Sequence, residues 1–189
     1  MFILYALVVG VLVGFLRGGR LSGLARLQFR WAPLILAGLA VQLLLFADPV
    51  AERIGQFGPP IYVASTLAVL AGVVRNVNVA GMPLVVAGAA SNIVAIAANG
   101  GFMPVSEAAL RANGRTPTTI YSNSRLIEDP ALAPLTDIFA MPPWMPLANV
   151  FSVGDLLIGA GIAYAIASAM RADRDVHEAG ATEQLPRSP

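Results

Sequence analysis

The chain has 189 residues, 57% of them hydrophobic and 12% charged, with a mean hydropathy of +0.71, a balance too apolar for an ordinary soluble domain. Its formal net charge of +1 comes from scattered arginines with no lysine, which offers no basic stripe to a nucleic acid. Cysteine is absent and the single histidine, His177, lies in a polar tail; disulfides, thiolate chemistry, a Ser-His-Asp triad and a His-rich zinc site are therefore all excluded.

The first apolar run, 2–16, has nothing basic before it and Arg17, Arg20, Arg26 and Arg30 directly after it. That is the reverse of a signal peptide, and it predicts a spanning helix whose basic loop stays in the cytoplasm. Further apolar runs follow at 31–47, 60–74, 79–98 and 150–170. Several are shorter than the roughly 20 residues a span prefers, but arginines can snorkel to the headgroups and aromatic residues can anchor the ends. Trp31, Tyr62 and Trp144 each fall beside a predicted span end.

The expected fold is an all-α integral membrane protein of about five spans, N-out and C-in, in a plasma membrane. On this topology eight arginines lie inside (17, 20, 26, 30, 75, 171, 174, 187) against four outside (53, 111, 115, 125), as the positive-inside rule requires. Residues 1–170 form one transmembrane domain. Its extracytoplasmic segment, 99–149, is irregular, because prolines at 104, 117, 130, 134, 142, 143 and 146 forbid one long helix. Within it "VSEAALRANG" reads as a short helix capped by Ser106 and stopped by Gly114. The polar tail, 171–189, is expected to be disordered in the cytoplasm.

Two aspartates stand out. Asp137 lies in the proline-rich segment and Asp155 at the lip of the last apolar run, where a charge is costly and marks a functional hypothesis. On a helical period Asp155 shares a face with Ser152, Gly159, Ala163 and Ala167. Such a small-residue stripe lets helices approach closely and should face the bundle. The fourth run offers a similar stripe of Gly88, Asn92, Ala95 and Asn99. A plainer reading has Asp155 as an interfacial helix cap and Asp137 as a solvated loop carboxylate.

The segment "LTDIF…PPWMPLANVFSVGDLLI" resembles the C-terminal part of lipoprotein signal peptidase (signal peptidase II), where Val-Val-Asp-Phe is followed by Phe-Asn-x-Ala-Asp. The resemblance implies that Asp137 and Asp155 match the catalytic dyad, with Phe151 at the Phe position, Ser152 in place of Asn and Gly154 in place of Ala. The other motifs of that family have no counterpart here, and it has four spans where five are expected. Over its full length the chain resembles an uncharacterised group of small bacterial membrane proteins, a domain of unknown function, with recurring "NGGxMPV", "LTDIF" and "NVFSxGD" segments.

Three functions compete. The incomplete peptidase motifs put a non-enzymatic assembly or scaffold component first. The alternative is a metal-independent aspartyl endopeptidase in which Asp137 and Asp155 are catalytic, with Asn92, Asn99, Asn149 and Ser152 as supporting polar groups and Gly88, Gly159, Ala163 and Ala167 as helix-packing positions. A small transporter using Gln42, Asn92 and Asp155 as a polar path is third. No cofactor or metal is called for. The expected partners are the lipid bilayer and either a membrane-anchored peptide or another membrane protein.

Overall fold

The computed structural model describes residues 2–114 and 124–183. Among the described residues there are seven α-helices: α1 (Phe2–Leu16), α2 (Ala32–Leu45), α3 (Asp48–Ile54), α4 (Gly58–Val74), α5 (Met82–Ala98), α6 (Glu107–Asn113) and α7 (Val153–Glu183). The helix starts follow local chemistry. Helices α2 to α5 each carry a proline in the first turn, where its missing N–H would have had no partner and its fixed φ is already helical. The short α6 forms as the sequence predicts. The Ser106 hydroxyl accepts the Ala109 N–H, and Gly114 ends the helix at φ 72°.

The long helices stand in a row in the order α1, α7, α5, α4, α2, so the two chain-terminal helices are neighbours and α7 is flanked on both sides. Small residues set these contacts. A Cβ at Gly10 of α1 would lie 2.9 Å from the Ala163 Cα, and one at Gly161 of α7 would lie 2.6 Å from the Gly81 carbonyl oxygen. The predicted packing positions are used, but against two partners. Gly88 meets Gly154 and Ile158 across α5 and α7, while Gly159 meets Phe2 and Ala6 of α1. Ala167 is 2% exposed.

One end of the row gathers the basic loops. Arg20 donates its N–H to the Met170 carbonyl at 2.9 Å. The buried Asn76 grips the Arg30 backbone from both sides, accepting its N–H and donating to its carbonyl, each at 2.7 Å. At the opposite end residues 99–114 and 124–149 build a small cap. Gly100 and Gly101, at φ 70° and 88°, turn the chain sharply out of α5 into β1 (Met103–Val105). Strand β1 is buried throughout; it pairs in parallel with β2 (Ser124–Leu126) and, through Val105, with Asp137. Strands β3 (Phe139–Ala140) and β4 (Val150–Phe151) pair antiparallel beside it.

Several expectations change. By length and composition two stretches could cross a membrane, Pro49–Val74 and Val153–Arg171, whereas α1, α2 and α5 are apolar but shorter. Helix α3 replaces an expected loop because Pro49 starts a helical turn that Gly55, at φ 49°, ends. Tyr62, expected as an interfacial anchor, is buried against Phe46 and Leu45, because α4 begins four residues before it. Helical backbone continues to Glu183 where a disordered tail is expected, in a stretch rich in Ala, Glu and Arg, all good helix formers. Residues 184–189 of that tail and Arg115 lie outside the described residues.

Candidate functional site

The site forms where α7 begins. Ser152, fully buried, caps the helix: its hydroxyl accepts the Asp155 N–H at 3.1 Å, and the Asp155 Oδ2 accepts the Ser152 N–H at 3.0 Å. This reciprocal pair is a capping box with Asp at the third helical position, satisfying two amide groups that a helix start otherwise leaves unpaired. Ser152 is thus the cap residue, and Asp155 reaches back to it from inside the first turn.

Asn92 of α5 completes a ring. Its Nδ2 donates to the Asp155 Oδ1 at 2.9 Å, and its Oδ1 accepts the Ser152 hydroxyl at 2.9 Å. Both Asp155 oxygens are therefore engaged, one by its own helix and one by α5. The ring requires a glycine at 154, since a Cβ there would overlap the Asn92 Oδ1 and press on the Gly88 carbonyl. Asn92 thus occupies the space that a methyl group at position 154 would fill.

Asp137 approaches from the cap. Its backbone is fixed on both sides by β1: its N–H donates to the Pro104 carbonyl at 2.9 Å, and its own carbonyl accepts the Ser106 N–H at 3.1 Å. The side chain is buried, 6% exposed, and its Oδ2 accepts a long hydrogen bond of 3.4 Å from the Ser124 hydroxyl. Burial, reinforced by the negative charge of Asp155 and opposed by the Ser124 bond, pushes the Asp137 carboxyl up from 3.8 to about 7. Loss of hydration and a nearby like charge both disfavour the ionised form. Near neutral pH Asp137 is therefore poised between its two protonation states, and the two aspartates sense one another electrostatically.

The other sequence-predicted site residues divide. Asn92 and Ser152 join Asp155. Asn99 does not orient the pair: it lies at the end of α5, and its amide is committed to the cap, donating to the Ala95 and Ala131 carbonyls and accepting the Ala131 N–H. The Asn149 carbonyl accepts the Met141 N–H at 2.9 Å, which places this residue at the neck of the β3–β4 hairpin. Gln42 donates to the Thr66 hydroxyl across α2 and α4 at 3.1 Å, and α4 and α5 stand between its helix and that of Asp155. Sequence reasoning missed Ser124, whose link to Asp137 depends on the parallel β1–β2 pairing and leaves no local signal. Among the described residues no group of three or more His, Cys, Asp or Glu could hold a metal ion.

No curated protein and no solved structure matches the chain. A family model does, over residues 26–167, a stretch that runs from the first basic loop to the middle of α7 and includes Asn92, Asp137, Ser152 and Asp155. The chain accordingly belongs to the family of unknown function DUF5317.

Proposed function

We propose that this is a five-span membrane protein, N-out and C-in, whose outer face carries a working pair of carboxylates, Asp137 and Asp155. Support for the bilayer comes from the helix flanks. Leu7, Val8 and Leu12 on α1, and Leu36, Leu43 and Leu44 on α2, are exposed, forming an apolar surface that water would penalise and hydrocarbon would not. Arginines 17, 20, 26, 30 and 75 follow α1 and α4 at one end of the row, as a cytoplasmic end requires. The short helices end close to these arginines or to the cap, where side chains can reach the headgroups.

The observation that favours chemistry over scaffolding is the buried Asp137 carboxyl, held near 7 with the Asp155 charge as one cause. A carboxyl raised toward neutrality and paired with a second carboxylate can supply an acid and a base without a metal. In peptide hydrolysis Asp155 would take a proton from water as the oxygen attacks the scissile carbonyl, and Asp137 would give its proton to the developing oxyanion. Collapse of the tetrahedral intermediate returns that proton to Asp137 and breaks the C–N bond, and the departing amine takes the proton held on Asp155. The substrate class is a membrane-anchored peptide presented at the outer face.

A second reading, an assembly or scaffold component, is favoured by the engagement of both Asp155 oxygens in the capping ring. Complementation of a deletion strain separates the two. Asp137→Asn and Asp155→Asn, at protein levels equal to the parent, should each fail to restore function, and the double variant should be no worse than either. An amide at 155 can still accept the Ser152 N–H from the third helical position, so full rescue by both variants would leave the scaffold reading alone.

A further inference from the structure

Between Asp137 and Asp155 the chain carries no ionisable side chain. This stretch is a closed hairpin: Phe139 faces Phe151 and Ala140 faces Val150 across β3 and β4, and the Met141 N–H to Asn149 carbonyl bond closes the neck. Beyond the neck the tip folds on itself through Met145 N–H to Pro142 O at 3.0 Å and Ala148 N–H to Met145 O at 3.1 Å. Pro142, Pro143 and Pro146 fix three of its φ angles. The tip is therefore held in shape by its own backbone, yet Trp144 is 80% exposed and Leu147 56% exposed.

The hairpin is also fastened to α1. The Tyr5 hydroxyl donates to the Pro146 carbonyl at 2.5 Å, and Phe2 stacks on Phe151 at 4.7 Å, which stacks on Phe139 at 5.5 Å. The adjoining flank of α1 exposes Ile3, Leu4, Leu7 and Val8, so the tip extends the apolar surface of that helix. From its neck the two strands lead directly to the site, one to Asp137 and the other to Ser152 and Asp155.

We propose that the 141–149 tip is a wedge inserted in the outer leaflet, with Trp144 and Leu147 among the headgroups and upper acyl chains. This rests on the membrane reading given above. Lipid is the occupant because the tip continues the apolar flank of α1 without a charged break, and an indole with a polar N–H suits the interface.

The test uses the full chain in phosphatidylcholine nanodiscs. With Trp31→Phe, Trp144 is the one remaining tryptophan; a reference protein carries Trp31→Phe, Trp144→Phe and Leu39→Trp, on the exposed mid-flank of α2. Lipids brominated at a shallow or a deep acyl position are compared by loss of emission. Trp144 should be quenched more strongly by the shallow bromines, and Leu39→Trp by the deep ones. If Leu39→Trp is quenched and Trp144 is not, the wedge is overturned while the membrane reading stands; this includes a blue-shifted but unquenched Trp144, which would mean a protein covers the tip. If neither is quenched, both readings fall.

Discussion

Helix α7 is held by opposite kinds of chemistry at its start and near its middle. Near Met170 the contacts are mainly steric, joined by the one backbone hydrogen bond from the Arg20 N–H to the Met170 carbonyl. The Met170 side chain, fully buried, fills the space left by Gly14 and Gly19, and Gly23 lies against the Ala169 backbone. Near Ser152 the same helix is held by a ring of directional hydrogen bonds through Asn92 and a carboxylate. Packing of small residues is a general way to join helices, and it dominates the contacts near Met170. The polar ring near Ser152 adds directional bonds to such packing.

The steric contacts should give the largest effect when broken. Gly10→Leu drives a side chain into the Ala163 backbone, and because neither helix can yield without moving the row, the folded protein should be lost, a penalty above the usual ~1–3 kcal/mol of overpacking. Yield and thermal stability in detergent measure it; parental values would mean that α1 does not pack on α7.

Asp137 gives the next effect, opposite in sign. Its folded carboxyl is raised from 3.8 to about 7, so the native state keeps a proton that the unfolded chain releases. Stability contributed by the carboxyl is present below about pH 4, declines as pH rises from 4 to 7, and is level above. Asp137→Asn should remove this dependence and raise stability at pH 8 by as much as about 4 kcal/mol, while abolishing function. Thermal denaturation of both proteins at pH 4.5 and pH 8 gives the difference; equal gains at both would mean the carboxyl is not the titrating group. Any activity that uses Asp137 as an acid should correspondingly fall as pH rises through 7.

The capping ring sharpens the comparison on the smallest scale. Ser152→Ala removes a cap worth roughly 1–2 kcal/mol, and Asn92→Ala leaves the Asp155 Oδ1 and the Ser152 hydroxyl without a partner they share. Because the two substitutions break one ring, their stability losses should not add, the double variant falling short of the sum by about 0.5 kcal/mol or more. Additive losses in a double-mutant cycle would show that Ser152 and Asn92 act independently.

The apolar helices, the capped α6, the small-residue positions and the two aspartates were all legible in the sequence alone, since each follows from local composition, spacing or capping chemistry. What needed the tertiary structure were the relations between distant segments. Asn92 and Asn99 look equivalent at a seven-residue spacing on one helix face, yet only Asn92 reaches Asp155. Asn99 falls past the last helical turn and binds the Ala131 backbone instead. Ser124 meets Asp137 through a parallel strand pairing whose partners are far apart in the chain, and the Asp137 carboxyl is raised by burial and by a charge on another element. Hydrogen bonds between distant segments, and the desolvation that shifts a carboxyl, exist only after the chain has folded, so no local pattern of residues encodes them.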